Sequence, residues 1–84
     1  MIQTFYKQNP IKVDTPYREI IIENVAGHWQ ARLTGGTEWG PDPKPEPLEV
    51  VKAKTYEEAK EAYDKMFREL QEDGWKAYSP YEPW

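Results

Sequence analysis

The run "KTYEEAKEAYDKMFRELQEDGW" constrains the fold of this chain more than any other stretch. Tyr56, Ala59, Ala62, Tyr63, Met66, Phe67 and Leu70 recur at steps of three and four, which predicts a helix over about 56–72 with one apolar stripe. Thr55 and Glu58 form a capping box that satisfies two backbone donors left open at a helix start. Glu57 and Glu58 also lie where the helix dipole favours negative charge. Gly74 supplies a left-handed stop. On the opposite side, Glu61–Lys65 and Asp64–Arg68 fall at i,i+4, a spacing worth about 0.2–0.5 kcal/mol per pair. A helix apolar on one stripe needs a second layer to cover it.

Period-two patterns supply that layer. "HWQARLT" sets Trp29, Ala31 and Leu33 against His28, Gln30, Arg32 and Thr34, as a half-buried strand requires. "YREIIIE" is rich in β-branched residues, and the turn "NVAG" with Gly27 joins the two runs into a hairpin across 24–27. "LEVVKA" reads as a further strand, with Val51 and Ala53 on the face opposite Leu48 and Val50. "IQTFYKQ" reads as another strand, and "WKAYS" as either a short strand or an extended tail. The expected architecture is α+β: an antiparallel sheet of three or four strands, with one long helix packed across one face. Residues 1–84 make one small domain, with 78–84 as a candidate aromatic tail.

A domain of this size has a thin core, and its four Trp, six Tyr and two Phe compensate by burying large areas each. No cysteine is present, so disulfides, thiolate metal sites and cysteine nucleophiles are excluded. No apolar run approaches the ~20 residues of a bilayer span, and "MIQTFYKQNP" lacks the features of a signal peptide. The expectation is a soluble cytoplasmic protein with no membrane partner. Residues 1–48 carry five Lys/Arg and six Asp/Glu, net −1; residues 49–84 carry six and nine, net −3. That balance disfavours general affinity for nucleic acid, although Arg32, Lys12 and Lys7 offer a modest basic patch.

Catalytic constellations are sparse. His28 is the only histidine and Ser79 the only serine, which leaves little for nucleophilic catalysis or a metal site. The chain reads as a non-enzyme with no cofactor and no metal. Aromatics carry more information. Trp29 belongs to the apolar face of its strand, and Trp75 follows Gly74 and folds back to cap the core. Trp39 stands in a loop before Pro41 and has two readings, packing or partner binding, because Trp is enriched in binding hot spots. The tail "AYSPYEPW" offers Tyr78, Tyr81 and Trp84 either to the core or to a partner. "PDPKPEP" favours an extended polyproline II spacer that denies donors to a sheet edge, over a ligand for aromatic grooves.

With a strand containing "HWQARL", a loop Trp39-Gly40, a further strand and then "TYEEAKEAYDKMFRELQEDGW", the chain from Tyr17 to Trp84 resembles the WGR domain of some poly(ADP-ribose) polymerases and bacterial proteins. The resemblance places Trp39 and Gly40 at the first two signature positions. The third is Pro41 instead of Arg, and "PDPKPEP" replaces a compact Gly-containing turn. In that family the Trp and Arg contact nucleic acid or an adjoining domain, so the missing Arg weighs against DNA binding. The sequence thus points to a binding module for a protein partner, with Trp39, Gly40, Arg32, Tyr81 and Trp84 as binding residues. Its alternatives are a WGR-like nucleic-acid-binding module and a self-associating homodimer.

Overall fold

The helix forms where its caps and stripe place it. A computed structural model describes residues 1–8, 15–38, 46–79 and 81, with 37 and 38 described through their backbone. In chain order the elements are β1 (Ile2–Tyr6), β2 (Thr15–Val25), β3 (His28–Glu38), β4 (Glu46–Ala53), α1 (Tyr56–Glu72) and β5 (Lys76–Ala77). At the start of α1 the Glu58 amide donates to Thr55 Oγ1 at 3.2 Å. The Glu58 carboxylate reaches one residue further out than a capping box requires, accepting from the Lys54 amide at 3.3 Å. At the other end Gly74 has φ of 90°, and the Trp75 and Gly74 amides donate to the Leu70 and Gln71 carbonyls. This pair of bonds is the Schellman closure that a left-handed glycine permits.

The ion pairs on α1 differ from those expected. Lys60 Nζ lies 3.0 Å from Asp64 Oδ1, and Lys65 Nζ lies 3.9 Å from Glu69 Oε1, in place of Glu61–Lys65 and Asp64–Arg68. Helical side chains tilt toward the helix N-terminus, so the short Asp64 meets the lysine before it rather than the arginine after it.

All pairings in the sheet are antiparallel, and the strand order is β4-β3-β2-β1-β5. The sheet therefore has five strands rather than three or four, because "WKAYS" contributes β5, which pairs Ala77 with Phe5 and Lys76 with Tyr6. The central hairpin turns as expected, with Val25 opposite His28, and Ala26 shares the positive φ of Gly27 at 51° and 86°. Paired positive φ values suit the right-handed twist of the flanking strands.

β3 runs further than "HWQARLT": Gly35–Glu38 continue it and pair with Thr15–Arg18. The glycines are there because neighbouring side chains lie across the strand. A Cβ on Gly35 would stand 2.8 Å from Arg18 Nη1, and one on Gly36 would stand 3.1 Å from the Tyr17 ring. Pro16 is tolerated in β2 because β1 pairs only as far as Tyr17, so Pro16 has a single neighbouring strand.

α1 packs against β2, β3, β4 and β5. Ile20, Ile22 and Ala31 from the sheet meet Ala59, Tyr63, Met66 and Leu70 from the helix, with Phe5 and Trp75 at the β1–β5 side. Trp29 is packed against this core as expected, half-buried with its ring edge-on to Tyr56 at 5.4 Å.

Burial holds the Tyr63 phenol above its usual value of 10.0, and the adjacent Asp64 carboxylate adds to this. An unfolded tyrosine would ionise first, so the contribution of Tyr63 is constant below 10.0 and is lost as the pH rises above it. Urea midpoints followed from about pH 9 to about pH 11 should fall with a slope that Tyr63→Phe reduces. An unchanged slope in that variant would place the titrating group elsewhere.

Candidate interaction surface

Strict alternation gives the sheet two faces. Phe5, Arg18, Ile20, Ile22, Ala31, Leu33 and Val51 point to the helix side, as their cross-strand pairing and the core membership of most of them require. The residues between them, including Ile2, Thr4, Glu19, Ile21, Glu23, Gln30, Arg32, Thr34, Val50 and Lys52, share the face that α1 does not cover.

Register brings four of these into one line. Ile2 is opposite Ile21, Ile21 opposite Arg32, and Arg32 opposite Val50, so an apolar row with Arg32 inside it crosses β1, β2, β3 and β4. Its ends are open to solvent: Ile2 is 59% exposed and Val50 45% exposed, values that burial in a free monomer does not explain. Arg32 is half-buried in the row. Its Nη2 is 3.3 Å from Glu23 Oε2, which also accepts from Gln30 Nε2 at 3.3 Å. Its Nε is out of contact with solvent and has no hydrogen-bond partner. A shielded, unpaired guanidinium N–H costs stability on its own account. Above the row, the Thr34 hydroxyl donates to the Glu19 carbonyl at 3.4 Å.

The other expected site residues are placed as follows. Tyr81 is 94% exposed, and its amide donates to Ser79 Oγ at 3.3 Å. Tyr78 does pack on the domain: its amide donates to the Thr4 carbonyl and its ring sits edge-on to Tyr6 at 5.5 Å. Trp39, Gly40 and Trp84, together with Lys12 and the stretch 41–45, lie outside the described residues. The basic patch does not assemble from its described members. Lys7 lies beside Trp75 and Asp73 on the helix side, whereas Arg32 lies on the open face.

His28 comes to a different corner. With Lys52, Ala53, Lys54 and Glu58 it lines a shallow, open cleft of about 510 Å³ at the start of α1. Its Nε2 is shielded and unpaired. Glu58, the one carboxylate in the lining, is already engaged by the Lys54 amide. Among the described residues, no group of three His, Asp or Glu side chains could hold a metal ion, and no helix is long and apolar enough to cross a membrane.

Sequence reasoning found Arg32 and missed its neighbours. Ile2, Ile21 and Val50 carried no site signal, because alternation assigns faces within one strand but not the order of strands. The exposed row exists only once β1 is set beside β2 and β4 beside β3. The architecture is a two-layer α+β domain: α1 covers one sheet face, and on the other Ile2 and Val50 are exposed while Tyr6, Thr15 and Thr34 are buried. The chain matches no protein-family model, no curated protein and no solved structure.

Proposed function

We propose that this chain is a small non-catalytic binding module that recognises a protein partner through its open sheet face. The observation that carries the reading is the row Ile2–Ile21–Arg32–Val50, exposed at its two ends and half-buried at Ile21 and Arg32. An apolar patch holding one arginine, with charged residues around it, has the composition of a protein interface core and its rim. Tyr81, 94% exposed after β5, belongs to the same proposal as a further binding residue. The Trp39-Gly40 loop and Trp84 belong to the same proposal as further binding residues, and the WGR resemblance is kept only as a layout in which a Trp-Gly loop serves recognition. A protein partner is favoured over nucleic acid because Glu19 and Glu23 flank the row and Arg32 is paired to Glu23.

The test is retention of partners from a native extract by the immobilised chain and three variants. Arg32→Glu and Val50→Glu should each lose the proteins retained by the natural sequence. Glu61→Lys, on the solvent side of α1, should keep them. Equal retention by all four would remove the open face from consideration.

A further inference from the structure

We infer that the corner of the domain around Arg18 is a carboxylate-binding site, fitted to an acidic residue of a peptide that carries apolar neighbours. The corner lies on the helix side of the sheet, away from the row that holds Ile2 and Val50, and its role is independent of that row.

Arg18 is half-buried, and among the described residues no carboxylate pairs with it. Its guanidinium carbon lies 4.6 Å from the centre of the Trp75 ring, and its Nη1 donates to the Tyr17 carbonyl at 3.0 Å. Among the described residues Nε and Nη2 donate to nothing, and unlike Arg32 Nε neither is sealed from solvent. A guanidinium holds its N–H groups in a rigid fork, and the Nε–Nη2 edge presents two of them in parallel, a match for the two oxygens of one carboxylate. The indole and the Tyr17 carbonyl fix that plane before a ligand arrives, so little side-chain freedom is lost on binding.

The backbone of β3 makes room for the fork. A Cβ on Gly35 would stand 2.8 Å from Arg18 Nη1 and 2.9 Å from Leu48 Cδ1, so the guanidinium and the leucine converge on the same bare stretch of strand. Alternation alone places Leu48 with Val50. The β3–β4 register shifts between Leu33 and Thr34, however, passing over Leu48 and turning it toward Gly35. Leu48 stays 50% exposed there. A two-pronged donor beside an exposed leucine suits a carboxylate borne on a chain with an apolar side chain next to it.

Charge selects the class of anion. Lys7 Nζ lies 5.1 Å from the centre of the same Trp75 ring, but it is already 3.4 Å from Asp73 Oδ2. Glu46 and Glu49 stand exposed on β4, opposite Gly35 and Leu33. The corner therefore has no excess of positive charge to draw phosphate or a polyanion. A single carboxylate gains from short charge-assisted bonds to one guanidinium and meets the least repulsion from the three acids.

The probe is an acetylated, amidated Leu-Asp-Leu peptide, titrated into the isotope-labelled full chain and followed by heteronuclear NMR. The Arg18 Nε–H, the Trp75 indole N–H and the amides of Gly35 and Leu48 should shift together and saturate with a Kd on the order of 1 mM. Leu-Asn-Leu should bind roughly tenfold more weakly, as should Leu-Asp-Leu to Arg18→Met. Arg18→Lys keeps the charge without the fork and should lose nearly as much. Gly35→Ala keeps every charge and should lose several-fold, because its Cβ displaces Nη1. Ser-Asp-Ser should bind several-fold more weakly than Leu-Asp-Leu, for want of a contact with Leu48. Lys65→Gln, exposed on α1, should bind as the natural sequence does. Urea midpoints measured beside each titration separate lost binding from lost folding. Full affinity in Arg18→Lys, equal binding of Leu-Asn-Leu or Ser-Asp-Ser, or tighter binding of inorganic phosphate than of acetate overturns the inference. Shifts confined to Ile2, Ile21, Arg32 and Val50 would overturn it too, while leaving that row as the contact surface.

Discussion

Phe5→Ala should cost about 3–5 kcal/mol of folding free energy, the largest loss expected from any substitution in β1. Phe5 is 0% exposed and meets Phe67 edge-on, with ring centroids 4.9 Å apart. Its strand is held on both sides, opposite Arg18 of β2 and Ala77 of β5. A chain of 84 residues has a total stability of roughly 4–13 kcal/mol, so this one ring carries a large share of it. Removing it leaves a cavity in a core that also holds Ile20, Met66 and Leu70. The urea midpoint should fall steeply with little change in slope, while Phe5→Leu should lose less than half as much. A loss below about 1 kcal/mol for Phe5→Ala would mean that β1 is not integral to the fold.

That outcome also bears on the open face, because Ile2 reaches it only through the pairing of β1 with β2. Stability and binding are separable by variant. Phe5→Ala removes the scaffold, whereas Arg32→Glu alters a partly exposed side chain whose pair with Glu23 is worth about 0–1 kcal/mol. A loss of binding with an unchanged midpoint is therefore the signature of the face itself.

The legible parts of the fold are those decided by neighbours in sequence. α1 spans 56–72 as its stripe predicts, because Thr55, Glu58 and Gly74 act within one turn of the ends they fix. The hairpin at 25–28 is equally local. β5 is the opposite case: two residues become a strand because Phe5 and Tyr6, some seventy positions earlier, present a free edge. The local pattern of "WKAYS" leaves strand and tail open, and only that distant edge decides between them. The glycines of β3 carried a readable signal, since a glycine inside a strand often marks a close approach by another group. Here the approaching groups are Arg18 and Tyr17 from across the pair. For the site, the polarity of Arg32 within "HWQARLT" was enough to place it away from the core. Ile21 and Val50 were not legible in the same way, because an apolar residue on a strand points to burial unless the second face of the sheet is known to be open.

Trp75→Ala should be the second large loss, about 3–5 kcal/mol, and it should act at three places at once. The ring is buried at the end of α1, and the Trp75 amide closes the helix by donating to the Leu70 carbonyl at 2.9 Å. Its Nε1 donates to Asp73 Oδ2 at 3.3 Å. The Arg18 guanidinium carbon lies 4.6 Å from the ring and Lys7 Nζ lies 5.1 Å from it, contacts that add about 0.5–1 kcal/mol each where partly exposed. β5 begins at the next residue, so without the ring the strand loses its anchor and β1 gains an unprotected edge. Amide exchange should therefore rise at Ala77 and Tyr78 well before it rises in β2 and β3. Arg18→Met separates the contributions: it should cost no more than about 1 kcal/mol, and a double-mutant cycle with Trp75→Phe should isolate the ring–guanidinium part. If Arg18→Met cost as much as Trp75→Ala, the corner would be organised by the arginine's packing over Gly35, and the ring would be its passenger.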